Sequence, residues 1–127
     1  MTRAPLDHIV LMASDIDASV DWYDAFTPLL GFEKTRDHVY QHPDGWAIDL
    51  RAAKADAAPY GRHNAGLNHI GLRVESEKAV LAVRAGLAEK GYDVPAPQIF
   101  DGEETVVFFA DPDGMRWEVG HHVGGAL

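Results

Sequence analysis

Two histidines recur in matching company. LDHIVL spans residues 6–11 and LNHIGL spans 67–72, so His8 and His69 hold the same place in two hexapeptides 61 positions apart. A second echo pairs QHPDGWAIDL at 41–50 with ADPDGMRWEV at 110–119, and it brings Asp49 into line with Glu118. Neutral imidazole and carboxylate oxygen suit borderline-to-hard divalent ions such as Zn, Ni, Co, Mn or Fe. Three or four such donors leave coordination positions for water or substrate, the mark of a catalytic site. A substrate with two adjacent oxygens chelates there, and the ion acts as a Lewis acid toward an enolate or alkoxide. Proton abstraction beside a carbonyl then needs a base, and Glu118 or a loosely bound Asp49 is the candidate.

The echoes come in one order, and between them each half closes a helical stretch on Gly plus an aromatic, Gly31-Phe32 and Gly91-Tyr92. Internal repetition of this kind implies two copies of one module. The modules are expected at about 1–51 and 67–127, joined by a linker at 52–66 within a single domain over 1–127.

A chain of 127 residues and 13.9 kDa, 46% hydrophobic and 24% charged, has the composition of one globular domain. It has no cysteine, which removes disulfides, thiolate metal sites and cysteine nucleophiles together. A net charge of −9 and a pI near 5.0 repel polyanions, so nucleic acid is not an expected partner. No run of about 18 apolar residues offers a membrane span. The opening MTRAPLDHIVLMASD turns acidic too soon for a signal peptide, and a cytoplasmic location is the default expectation.

Each module reads β-α-β-β-β. Residues 6–12 alternate as a strand; Ser14 or Asp15 caps a helix whose stripe runs through 16, 20, 23, 26 and 30; Pro28 shortens its last turn and Gly31 ends it. Strands follow near 32–36 and 38–42, and a Pro-Asp-Gly turn leads into 46–51. The second module repeats this with a strand at 67–74, a helix at about 76–90, a strand near 92–95 or just after, and strands at 104–110 and 115–120. Strand alternation sets His8, Asp49, His69 and Glu118 on the face opposite the apolar sets, where the four can converge if the modules meet edge to edge. Arg73 shares the His69 face and suits an anionic substrate group or a rim salt bridge. Adjacent Trp22 and Tyr23 are not expected to face inward together. His38, His42 and His63 default to the surface, as do His121 and His122; His122 shares Glu118's parity and is an outside candidate for proton shuttling.

The paired βαβββ pattern, with its LDHIVL and LNHIGL openings and its Asp-Pro-Asp-Gly hairpin before an acidic strand, resembles the vicinal oxygen chelate superfamily. That group includes glyoxalase I, extradiol dioxygenases and bleomycin-resistance proteins. The resemblance implies an α+β fold, two modules forming a curved mixed sheet around a cup-shaped cleft. It also implies one divalent metal held by His8, Asp49, His69 and Glu118, with Glu118 and Asp49 as catalytic groups, although glyoxalase-like enzymes usually carry Glu where Asp49 stands. The leading expectation is a metal-dependent lyase or isomerase of glyoxalase type acting on a small molecule. One alternative is an Fe(II) extradiol-type dioxygenase using His8, His69 and Glu118, with Asp49 a bystander. Another is a metal-free drug-binding protein of the bleomycin-resistance kind. Fosfomycin-type transfer is disfavoured by Val10, which stands where that group carries a hydroxyl residue. By analogy with the family a homodimer is expected, and swapped modules would draw His8 and Asp49 from one subunit and His69 and Glu118 from the other.

Overall fold

Branched apolar residues alternating from residue 8 onward put one side of the first strand against a helix and leave the other open. The computed structural model describes residues 1–122, and the chain divides into two units, Met1–Pro59 and Tyr60–Leu127. The first unit runs β1 (His8–Ala13), α1 (Ile16–Phe26), a 3-10 turn (Thr27–Leu30), β2 (Glu33–Arg36), β3 (Val39–Gln41) and β4 (Ala47–Ala52). The second runs β5 (His69–Arg73), α2 (Glu77–Glu89), β6 (Gln98–Phe100), β7 (Glu104–Ala110) and β8 (Arg116–His121). Their four-stranded sheets have the orders β1-β4-β3-β2 and β5-β8-β7-β6. In each, the first and last strands pair in parallel while the hairpin strands pair antiparallel. The fold is α+β, built from two βαβββ modules.

The repeat extends to the caps. Asp15 accepts a hydrogen bond from the Ala18 amide at 3.1 Å, and Ser76, 61 positions later, accepts from the Ala79 amide at 3.0 Å. Pro28 turns the end of the first helix into the 3-10 segment, which stops at Gly31 with φ +82°. Of the two places the sequence allows for the strand after α2, the structure takes the later one, Gln98–Phe100. Pro95 and Pro97 cannot donate to a ladder, so pairing begins only at Gln98.

One expectation is corrected in the first core. Trp22 and Tyr23 are both buried, at 3% and 0% exposure. Neighbours on a helix stand about 100° apart, and α1 buries a face wide enough for both: Trp22 stacks on Phe26 and meets Tyr23 edge-on, with centroids 4.5 and 4.8 Å apart. Beneath them lie Tyr40, Ile48 and Leu50. In the second unit Val80, Val83 and Leu87 of α2 cover Val107, Phe109, Trp117 and Val119. His42, expected at the surface, is half-buried because its ring stacks on Trp46 at 4.9 Å.

Tyr40 ties the first sheet to α1. Its hydroxyl donates to Asp24 Oδ1 at 2.7 Å, and Lys34 pairs with the same carboxylate at 3.0 Å. Burial first, then the hydrogen bond it donates to Asp24 and the charges of Asp24 and Asp21, hold this phenol far above its ordinary 10.0. The unfolded phenol ionises near pH 10 while the folded one does not, so this stabilisation is complete below pH 10 and declines above it. Tyr40→Phe is expected to cost about 1 kcal/mol at neutral pH and to flatten the loss of stability between pH 10 and 11 in denaturant titrations; an unchanged alkaline slope would contradict the assignment.

Candidate metal centre

In each unit the parallel pairing of first and last strands fixes one imidazole diagonally across from one carboxylate. His8 lies opposite Ala47 and Val10 opposite Asp49, so His8 and Asp49 share a face one step apart along the ladder. The second unit reproduces this: His69 lies opposite Arg116 and Gly71 opposite Glu118. Among the described residues, no group of three or more His, Asp or Glu side chains is placed to hold a metal ion. What each unit presents is a pair.

Both imidazoles are oriented by the residue before them. His8 Nδ1 lies 2.6 Å from Asp7 Oδ2, and His69 Nδ1 lies 2.6 Å from Asn68 Oδ1. The Asn68 amide is fixed by its nitrogen, which donates to the Arg62 carbonyl at 2.8 Å, so its oxygen faces the ring. An oxygen acceptor calls for a proton on Nδ1, which leaves the Nε2 lone pair outward. That is the customary support for a metal-binding histidine, with the second ring nitrogen donating to oxygen. The segment behind His69 is also tethered, since Tyr60 donates to the Leu67 and Asn68 carbonyls at 2.7 and 3.0 Å.

The two carboxylates differ in their surroundings. Asp49 Oδ2 accepts from Arg51 Nε at 3.2 Å and from its terminal nitrogen at 2.8 Å, and the Asp49 side chain is only 19% exposed. Glu118 lies over Gly71, where a Cβ would stand 3.0 Å from its Oε2. On its other side Phe108 pairs directly with Glu118, meets the His69 ring edge-on at 5.7 Å, and carries the Arg116 guanidinium at 4.4 Å. Farther along the same face the His122 ring covers Gly120, its Nδ1 3.2 Å from Glu104 Oε2 but without hydrogen-bond alignment. Arg73 is exposed opposite Gly120, with no ion-pair partner among the described residues.

A family model described as the Glyoxalase/Bleomycin resistance protein/Dioxygenase superfamily matches residues 5–119. The chain belongs to this superfamily. Solved structures agree on the fold. A glyoxylase/bleomycin resistance protein/dioxygenase domain from Frankia sp. EAN1pec is similar at a TM-score of 0.76 and 21% identity, over 98% of this chain and 96% of that one. A glyoxalase/bleomycin resistance protein from Albidiferax ferrireducens T118 is similar at 0.70 and 19%, over 92% and 98%. No curated protein matches.

Within this superfamily member, strand parity in the sequence suffices to place the His and carboxylate pairs on the open face of each sheet. It does not single out Asp7 and Asn68, although both carry a side-chain oxygen and both precede a repeated histidine. Parity also puts Arg51 on the Asp49 face, but it does not show that the two side chains pair. Both histidines are expected to be the Nδ1-protonated tautomer, measurable from long-range 15N–1H couplings of the rings. Asn68→Ala should leave His69 a mixture of tautomers; an Nε2-protonated ring in the unaltered protein would contradict the orientation.

Proposed function

We propose that the chain is a metal-dependent lyase or isomerase of glyoxalase type, holding one divalent ion between His8 and Asp49 of one module and His69 and Glu118 of the other. The observation that carries this is the repeated pair itself: an imidazole with Nδ1 engaged and Nε2 free, diagonal to a carboxylate, once in each module. The donor chemistry fits Zn, Ni, Co, Mn or Fe. The substrate is a small molecule with adjacent oxygens. The pairs meet in a homodimer or within one chain; the exposed Val10 and Met12 beside His8 on the edge strand β1 support a partner surface there.

When bound, a divalent ion supplies Lewis-acid polarisation to the substrate's adjacent oxygens. The chain's own residues do the rest. Glu118 takes the proton from the carbon beside the carbonyl and returns it to the neighbouring position, a transfer for which a positioned carboxylate is suited. Gly71 leaves the space in which that carboxylate moves, and Phe108 with Arg116 above it walls the site and holds the His69 ring edge-on. Asp7 and Asn68 keep the two Nε2 atoms aimed.

The Arg51–Asp49 bond favours a second function. A carboxylate that already accepts two hydrogen bonds from a guanidinium is a poor fourth donor, and His8, His69 and Glu118 alone make the two-histidine, one-carboxylate set of Fe(II) dioxygenases. Elemental analysis and metal titration of the purified protein are expected to give one ion per four-donor set. Glu118→Gln should abolish stoichiometric binding with the fold retained. Weakened binding in Asp49→Asn supports the glyoxalase type. Unchanged binding, with Fe(II)-dependent oxygen uptake on a catechol, supports the dioxygenase. A protein that binds no metal overturns both and leaves a ligand-sequestering role.

A further inference from the structure

The hairpin of the first module carries an irregularity that its counterpart lacks. In β2 and β3, Glu33 pairs with Gln41 and Lys34 with Tyr40, but the next partner of Val39 is Arg36, so Thr35 is an extra residue. In β6 and β7 the corresponding ladder, from Gln98 with Val106 to Phe100 with Glu104, runs without a slip. A regular register would set Thr35 opposite Val39 and send the Arg36 side chain to the helix side of the sheet. The bulge re-aims it. Val39 itself pairs with Asp49, so Arg36 comes to stand on the His8 and Asp49 face.

A groove of about 520 Å³ opens on that face, lined by Arg36 and Thr35 together with His8 and Asp49. Its acids are already engaged: Asp7 holds His8 at 2.6 Å and Asp49 holds Arg51 at 2.8 Å. Among the described residues the Arg36 side chain has neither a hydrogen bond nor an ion-pair partner. In a chain with a net charge of −9, a backbone irregularity thus aims a guanidinium with no partner among the described residues into the groove beside the candidate ligands. A guanidinium fork suits a carboxylate, which it binds through paired charge-assisted hydrogen bonds.

We propose that Arg36 is the anion-recognition residue of this groove, and that the substrate is a small carboxylate whose adjacent oxygens face His8 and Asp49. This rests on the proposed metal centre only for what the oxygens meet; the anion preference stands without metal.

Pyruvate and its methyl ester, which replaces the carboxylate charge with an uncharged O-methyl ester, can be titrated into the chelator-treated full chain by NMR. Pyruvate is expected to shift the resonances of β2 and β4 saturably and to bind at least about tenfold more tightly than the ester. Arg36→Gln should erase that preference, Arg36→Lys should restore part of it, and metal affinity should be unchanged in both. Equal affinity for pyruvate and ester, no saturable response to pyruvate, or a preference that survives in Arg36→Gln overturns the proposal. A protein that takes no metal yet keeps the preference overturns the metal centre and leaves the anion groove standing.

Discussion

Parallel pairing between the first and last strands of each module is the constraint from which the site follows. Antiparallel neighbours can be joined by a tight turn, but a parallel neighbour needs a crossover, and here α1 or α2 with the following hairpin supplies it. The crossover helix covers one face of the sheet and leaves the other open. Once His8 is set opposite Ala47, and His69 opposite Arg116, the side-chain alternation of both strands brings Asp49 and Glu118 to that open face without further instruction. The donor pairs depend on register, and a slip by one residue in β4 or β8 would turn each carboxylate into the apolar core.

Register gives the two halves the same frame, and side chains then differentiate them. Where the second module has Gly71 beneath a long Glu118, the first has Val10 beside a short Asp49 held by Arg51. Glu118 fills the space that Gly71 leaves, whereas Asp49 is held by two hydrogen bonds from Arg51. Under the proposed function, this asymmetry suits the second module to the proton-handling role. It suits the first to anchoring and, through the bulge that turns Arg36, to the proposed substrate recognition.

Much of this frame is legible in the sequence. The 61-residue offset between His8 and His69 recurs between the caps Asp15 and Ser76, because both describe one strand-to-helix unit copied once. Alternation separates Ile48 and Leu50 from Asp49, and Trp117 and Val119 from Glu118, as the burial of these residues shows. Features that depend on partners distant in the chain are not legible. The start of β6 is set by two prolines whose effect is felt only when β7 comes alongside. Trp22 and Tyr23 are buried together because the face that α1 covers is broad, a property of the sheet beneath. The bulge at Thr35 arises from the match of two strands and leaves no mark in either alone.

The central claim is that each of the two histidines lends its Nε2 atom to a single ion. X-ray absorption on the cobalt- or zinc-loaded protein counts imidazoles directly through their outer-shell scattering. The account predicts two imidazoles per ion, with metal–nitrogen distances of about 2.0–2.1 Å for zinc, falling to one in His69→Ala. A single imidazole in the unaltered protein, or none, would contradict it.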